Sequence, residues 1–588
     1  MRQLSLEIAI VLTENPTSTN LLERNSMRDS TDLGKPKDIS VASAHLNSNS
    51  LTTLNQVERS PPVSKRWPVW FTLTLVLLAG WLNALPWLYE GYTWSAWLGL
   101  AVAMQLATSS SFGSRFWVTW FWCSCVLGAA FHWSPAAMAY TLSSGFALGL
   151  LVALPLIIWD GLRMALGFWL ATKLTVDTRY YWLVAAFTTI ALEYTMPGVF
   201  PWKIGLTQLS NPWLIQGIDL FGPSFSTFVA FAIAGALQIG ISQIVNWLTM
   251  GDRSVSIATS TSNRSQIEKL AFSPVTVALV CIALYNTIAW QHWSQTIRSS
   301  KKIKVGLVQV DPSYVESTDN ARKQTAMIAE QVDFVCWPES SAGNYDLHLN
   351  NLADDAQTFL MSREPERGLR PWPSPKCELL VGGKNYVGNT EAPDELYVTA
   401  MLIDSQETIK ARHNKRFLMP FGEYVPGEKY IPGLAELFDM SEFVQAGHSV
   451  SPIETNCGAR IGTMLCYEDM VPQAAREMVF HGSNLLISLV NGSAFESRFT
   501  LYQHRLIAHL RAIECRRYFL RCAATGETCV INPLGEIEAR LPVQIDGTLV
   551  CDVGLIDGKT LYSRFPWLFP MIGCGVLVSF LLNAQQRR

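Results

Sequence analysis

Gly462-Thr463-Met464-Leu465-Cys466-Tyr467-Glu468-Asp469 is a short apolar run that ends in a cysteine, followed at once by an aromatic residue and two carboxylates. The pattern predicts a buried strand delivering a thiol to the mouth of a site, a position suited to a nucleophile. A cysteine behind a strand is more often an inert small hydrophobe, so the stretch needs company before it means chemistry. Two others supply it. Val332-Asp333-Phe334-Val335-Cys336-Trp337-Pro338-Glu339 is a second apolar run ending in a carboxylate. Asn414-Lys415-Arg416-Phe417-Leu418-Met419-Pro420-Phe421-Gly422-Glu423-Tyr424-Val425-Pro426 sets a lysine ahead of a Pro/Gly-punctuated loop with another glutamate.

A thiol attacks only as thiolate, so Cys466 needs a base or a positive field close by. Glu339 answers the first need: beside Trp337 and Pro338 its surroundings are partly apolar, which raises a carboxyl pKa toward the range where it can take and return a proton. Lys415 answers the second. Attack on a carbonyl creates an oxyanion, and an ammonium near it, with the backbone N–H after the cysteine, supplies donors worth about 3 kcal/mol each. Taken singly, Glu339 reads as a surface carboxylate at a turn and Lys415, among Arg412, His413 and Arg416, as a basic solvated loop. Cys336, three residues before Glu339, is the rival thiol.

The rest of the chain is unlike a soluble enzyme. It has 588 residues, too many for one compact domain, with 21 Trp, 49% hydrophobic and only 16% charged residues. The apolar residues concentrate in 67–291 and 566–583. A net charge of −3 offers no basic surface, which argues against a nucleic-acid partner. Of the twelve cysteines, Cys123, Cys125, Cys281 and Cys574 sit in apolar segments and the others show no paired spacing, so neither a zinc site nor another metal or cofactor is expected. A Cys377–Cys457 bridge is conceivable if the soluble block lies outside the cytoplasm.

Residues 1–64, rich in Ser, Thr and Asn, read as a disordered tail. From Trp67, apolar segments recur at approximately 67–87, 94–109, 116–134, 145–171, 180–197, 224–249 and 272–292. Since about 20 helical residues cross a bilayer core, the expectation is about seven spans in a domain covering 65–292. Trp and Tyr cluster at the segment ends as interface belts do. With the tail inside, the inner loops hold Arg115, Lys173, Arg179, Arg253, Arg264 and Lys269, and the outer loops essentially Lys203. That bias sends the block after residue 293 to the outer face, and a final helix within 560–588 returns the chain. Asp160 and Arg163 fall inside the fourth segment and can either pair within the bundle or sit at a helix break near Pro155.

Residues 301–555 alternate strand-like runs (303–310, 334–337, 379–382, 397–403, 460–466, 485–489, 528–531) with helical patterns at 320–331 and 502–515, which indicates an α/β layered domain.

The order Glu339, Lys415, Cys466, each ending a strand-like run, resembles the nitrilase, or carbon–nitrogen hydrolase, superfamily. The tails W-P-E, K-x-x-x-x-P-F-G-E-Y-V-P and C-Y-E narrow the resemblance to its membrane-bound branch, the apolipoprotein N-acyltransferases. Phe200-Pro201-Trp202 and Thr560-Leu561-Tyr562-Ser563-Arg564 extend it over nearly everything after residue 65. The resemblance implies an αββα sandwich on a polytopic helical membrane domain, in a bacterial inner membrane with the sandwich on the periplasmic face. It implies Glu339, Lys415 and Cys466 as catalytic, with Lys415 and the Tyr467 amide as oxyanion donors. Glu423 would hold Lys415, and Tyr467 and Glu468 would have positional jobs, although Glu468 could equally be a structural partner for a backbone amide. It implies transfer of a fatty acyl chain from a phospholipid donor, through a cysteine thioester, to a diacylglyceryl-modified lipoprotein. Where the family carries N-D-x-W-F, this chain reads Asn491-Gly492-Ser493-Ala494-Phe495. Gln309-Val310-Asp311-Pro312 lacks the family's tryptophan loop, and Tyr397-Val398 stands for Tyr-Asn. Two rivals use the same residues or none: a membrane-tethered amidase or nitrilase with water as acceptor, and a degenerate, non-catalytic membrane protein.

Overall fold

A computed structural model describes residues 68–586, apart from 110–111, 142–144, 176, 197, 199–200, 250–272, 312–316, 342–344, 350–359, 363–376, 389–392, 406–407, 432–443 and 494–496. The tail 1–64, the basic loop with Arg253, Arg264 and Lys269, and Phe200 lie outside the described residues. From Trp67 to Arg588 the chain is one compact unit.

A helix coincides with each of the seven apolar segments: α1 (Val69–Leu88), α2 (Thr93–Ser109), α3 (Phe112–Ala130), then, after a short α4 (Ser134–Thr141), α5 (Phe146–Leu174), α6 (Tyr181–Thr195), α7 (Ser224–Thr249) and α8 (Pro274–Ser299). Among the described residues, α1, α5, residues 224–242 of α7, and α8 are long and apolar enough to cross a membrane, and Leu568–Asn583 forms a shorter apolar helix. Their outward faces show why no water-soluble packing would suit them. Val69, Leu73 and Leu77 of α1, Leu151 and Leu154 of α5, and Val280, Leu284 and Ile288 of α8 all stand exposed, a surface that hydrocarbon but not water accommodates. Helix α5 continues unbroken through Pro155, so the break proposed as one reading of Asp160 and Arg163 does not occur. The two side chains are buried and paired at 3.1 Å within the helix.

The soluble block is two sheets packed face to face between helices. The strands that matter for the site are β1 (Lys301–Gln309), β2 (Phe334–Cys336), β5 (Glu378–Gly388), β6 (Pro393–Ile403) and β7 (Ile409–Asn414) in the first sheet. In the second they are β9 (Arg460–Leu465), β10 (Leu485–Val490) and β11 (Phe519–Ala523). With β3 (Tyr345–Leu349), β4 (Leu360–Ser362), β8 (Ile453–Glu454), β12 (Cys529–Ile531), β13 (Ile537–Arg540) and β14 (Gly547–Leu555), one sheet runs β14–β1–β2–β5–β3–β4 with β6 and β7 added beyond β5, and the other β13–β12–β11–β10–β9–β8. Alternation divides each strand between two cores. Val305, Leu307, Phe334, Cys336, Ile461, Leu465, Ile487 and Leu520 meet between the sheets. Val308, Val335 and Trp337 face out against helix α9 (Ser317–Ile328), while Met464, Leu486 and Phe519 face out toward α10 (Pro472–Phe480) and α12 (Leu510–Cys515). Being covered on both faces, the parallel strands β1–β2 and β9–β10–β11 read as continuous apolar runs. Cys377 and Cys457 remain thiols, so the bridge between them is not formed.

The patterned segment 502–515 is two helices, α11 (Arg498–Ala508) and α12, and it joins the blocks. Leu506, Ile507, Leu510 and Ile513 pack into the same core as the membrane helices. Gln503 donates from Nε2 to the carbonyls of Trp87 (3.0 Å) and Ala130 (2.8 Å), capping the ends of α1 and α3. Arg516 reaches Asp219 at 2.8 Å and Gln216 Oε1 at 2.7 Å.

Candidate active site

Strand ends in the two sheets carry the three residues. Glu339 follows β2 after Trp337, whose N–H donates to the Leu380 carbonyl (2.8 Å) and whose indole donates to Thr325 Oγ1 (2.8 Å). Strand β5 passes close because residue 382 is glycine: a Cβ there would lie 2.6 Å from the Glu339 Cα. Lys415 follows β7 and is held by its N–H on the Val398 carbonyl at 2.8 Å. Cys466 follows β9 and opens a 3-10 turn, Cys466–Met470, with φ +46°, in the left-handed region that a β-substituted residue enters only under constraint. The first N–H groups of such a turn, that of Tyr467 among them, have no partner within the turn itself.

Lys415 Nζ stands between two carboxylates, 2.6 Å from Glu423 Oε1 and 3.3 Å from Glu339 Oε1. Each carboxylate is tethered by its other oxygen: Glu423 Oε2 accepts from Met419 N–H (2.7 Å) and Glu339 Oε2 from Asn491 N–H (3.2 Å). The Cys466 thiol lies 3.8 Å from the Asn491 carbonyl and is 7% exposed. Glu468 is turned away from this group. Its Oε1 accepts from the Arg416 (2.7 Å) and Phe417 (3.1 Å) amides and its Oε2 from Leu465 (2.9 Å), with His413 Nε2 3.6 Å away. It therefore ties the lysine loop to the strand of the cysteine, the structural alternative weighed for it.

Burial pushes the Glu339 carboxyl above its usual range; Lys415 pulls it back in part and Glu423 pushes the same way as burial. Burial alone would neutralise Lys415, but the Glu339 and Glu423 charges outweigh it and keep the ammonium. Burial and then the Glu339 charge push the Cys466 thiol well up, against the pull of Lys415. At rest the group is thus a neutral Cys466 thiol beside the Lys415 ammonium, which stands between Glu339 and Glu423. The arrangement can move the thiol proton to Glu339 as a carbonyl is attacked, with Lys415 facing the charge that develops. Burial raises Glu468 less than His413 and the amides of Arg416 and Leu465 lower it, so it stays ionised.

The thiol opens into a cavity walled by both blocks. Met419, Pro420, Phe421, Tyr467 and Met470 line it from the sandwich, and Gln503, His504 and Ile507 from α11. Phe131, Trp133, Ala137, Met138 and Trp202 line it from the membrane domain. Phe131, Met138 and Trp202 also line a second cavity among the membrane helices, reaching Leu156, Ile157 and Asp160. Trp202 is held there by its indole donating to Asp160 Oδ2 (2.9 Å).

The departures from the expected motifs fall mostly on backbone roles. Asn491 meets Glu339 and Cys466 through its N–H and carbonyl, and a Cβ at Gly492 would lie 2.7 Å from the Leu501 Cδ2 methyl, which would have to move aside. Val398 offers only its carbonyl to Lys415. Gln309 is buried and donates to the carbonyls of Pro542 and Ile545 at 2.6 Å each. Ala494 and Phe495 lie outside the described residues. Sequence reasoning missed Gly382, Asn491 as a backbone partner, and His504 with Asp469. The adjacency of Asp469 to the cysteine was the available signal for the last.

Two family models match the chain: the apolipoprotein N-acyltransferase N-terminal domain over residues 79–236 and the carbon–nitrogen hydrolase model over 277–559. The apolipoprotein N-acyltransferase of Shewanella oneidensis is 26% identical over 526 residues, covering 84% of this chain and 93% of its own length. That of Geobacter metallireducens is 27% identical over 383 residues, covering 63% and 67%. Among solved structures, Saccharomyces cerevisiae Nit3, a member of branch 10 of the nitrilase superfamily, covers 45% of this chain and 94% of its own at 17% identity and a TM-score of 0.32. The membrane helices match one model and the sandwich the other, in the order that relatives of a single name carry along almost their whole length: the chain belongs to the apolipoprotein N-acyltransferase family.

Proposed function

We propose that this chain moves a fatty acyl group from a phospholipid, through a thioester on Cys466, to the α-amine of the diacylglyceryl-cysteine at the N-terminus of a lipoprotein. One observation carries the reading: five of the fifteen residues that line the cavity at Cys466 come from the membrane domain, so a lipid ester can meet the thiol while its chains stay in an apolar surround. Glu339 takes the thiol proton as Sγ attacks the ester carbonyl, and returns it to the departing glycerol oxygen. Lys415 and the Tyr467 N–H hold the oxyanion of each tetrahedral state. The amine then attacks the thioester, and Cys466 leaves with a proton. Glu423 fixes the Lys415 ammonium, and Glu468 fixes the loop that carries it.

The competing hydrolase would use the same groups with water as acceptor. Apolar lining favours the transferase, because a thioester walled by Phe131, Trp133, Met419 and Phe421 is kept from water until an amine arrives. Purified protein given phospholipid alone is therefore expected to accumulate acyl-enzyme in one burst and stall, as mass spectrometry of the intact chain can read. A diacylglyceryl-cysteine peptide should then discharge it as N-acyl peptide. Continuous release of fatty acid at a rate indifferent to the peptide would sink the reading.

The loop charges support an inner-membrane protein whose sandwich faces the periplasm. Labelling of introduced cysteines should find Asp404 accessible from outside and Arg179 only from inside. A cytoplasmic sandwich would remove the lipoprotein substrate from reach.

A further inference from the structure

The cavity holds one imidazole whose setting the thioester cycle described above leaves unused. His504, on α11, is 8% exposed and lines the wall shared with Cys466. Its Nε2 lies 2.6 Å from Asp469 Oδ1. Asp469 is fully buried, and its other oxygen accepts from Ser488 Oγ (2.9 Å) and Arg521 Nε (3.4 Å). Burial pushes Asp469 up, but His504, then Arg521 and Ser488, outweigh it and hold the carboxyl below its usual range. An ionised carboxylate only accepts, so Nε2 carries a hydrogen, and in the neutral ring the lone pair is then on Nδ1. Among the described residues no hydrogen bond engages Nδ1.

We propose that His504, its tautomer fixed by Asp469, is a second catalytic base that removes the proton from the α-ammonium of the acceptor before the thioester is attacked. The inference rests on the acyltransferase reading. An α-amine has a pKa of about 7.7–8.0 and is mostly ammonium, hence not nucleophilic, at neutral pH. Two protons must leave its nitrogen on the way to an amide. One travels through Glu339 to the departing Cys466 Sγ. The other goes from nitrogen to His504 Nδ1 and on to solvent, so that ammonium plus thioester give amide, thiol and one released proton. Asp469 stabilises the imidazolium that forms in between, as a buried carboxylate does behind a catalytic histidine. The charged neighbours do not compete. Arg521 is spent on Asp469. Arg505, next in the chain, turns to Glu527 at 2.9 Å and Glu90 at 3.7 Å. The other titratable groups along the cavity wall are Cys466 and Tyr467, with Asp160 beyond Trp202.

His504→Gln keeps an N–H for Asp469 and removes the base. Given phospholipid, the variant should still form acyl-enzyme, while discharge by a diacylglyceryl-cysteine peptide at pH 7 falls about 10²-fold, the lower end for a positioned general base. The deficit should close as pH rises past the pKa of the amine, because solvent then deprotonates the acceptor. Hydroxylamine, neutral at pH 7, should discharge both proteins at the same rate. Asp469→Asn should show the same selective, pH-dependent loss, and stands in should His504→Gln fail to fold. Normal peptide transfer at pH 7 by either folded variant overturns the proposal. So does a deficit that is the same at every pH and for hydroxylamine, which marks a purely structural role. Wild-type protein that forms no acyl-enzyme overturns the acyltransferase reading instead, and this inference with it.

Discussion

Cys466→Ala protein is expected to form no acyl-enzyme and to transfer nothing above background, a loss on the order of the 10⁶ seen when a covalent nucleophile is deleted from an intact site. No other group can replace it. The rival, Cys336, is fully buried between the sheets, and burial, then the neighbouring thiols Cys522 and Cys377, push its pKa far up. Cys336→Ala should cost about 1 kcal/mol of stability and leave transfer intact. Activity surviving Cys466→Ala and vanishing with Cys336→Ala would move the nucleophile to the other strand. The backbone adds a second readout. Because residue 466 sits at φ +46°, where a Cβ is penalised by roughly 1–2 kcal/mol, Cys466→Gly should be inactive yet more stable than Cys466→Ala. A thermal unfolding scan in detergent separates the two effects, and a less stable glycine variant would mean the kink is not strained.

Glu339 and Cys466 were legible as strand-end residues because the apolar runs before them are visible in one dimension, whereas Lys415 ends a charged run and stood out by the Pro/Gly-punctuated loop that follows it. The αββα layering was not, since continuous apolar runs in β1, β2, β9 and β10 are equally compatible with other covered sheets; only the resemblance named it. Strand β11 was missed, and β7 was marked only as the run ending at Lys415, for local reasons. Ile409–Asn414 carries Lys410, Arg412 and His413, and its pairing to β6 rather than its own pattern makes it a strand. Phe519–Ala523 includes Arg521, a charge inside a buried strand that pays its way only through Asp469 and the Glu527 carbonyl. The membrane segments were read to within a few residues. The junction was not: Gln503 looks like an ordinary polar residue on an amphipathic helix, and only two carbonyls more than 370 residues away in the chain reveal it as a joint.

Lys415→Met should be the most damaging change that leaves the nucleophile in place, and its pH dependence is what identifies the cause. Removing the ammonium deletes an oxyanion donor, about 10²–10³ in rate. It also strands Glu339 and Glu423 without the charge that both now face at 3.3 Å and 2.6 Å, a change of the kind that costs about 3–5 kcal/mol when one member of a buried ion set is lost. Burial and Glu423 already push Glu339 up and Lys415 is what opposes them, so its folded pKa rises further in the variant. The sign follows. A carboxyl whose folded pKa exceeds its unfolded value of about 4.3 is destabilising above the folded pKa, and the penalty is relieved as pH falls toward the unfolded one. The gap in unfolding temperature between wild type and Lys415→Met should therefore narrow from pH 7 toward pH 4. Catalysis runs the opposite way, because Glu339 must be ionised to take the thiol proton: the acid limb of the residual acylation rate should move to higher pH than in wild type. A Lys415→Met protein with the wild-type acid limb and a stability gap constant in pH would show that Lys415 does not tune Glu339, and would leave the lysine a role in the oxyanion site alone.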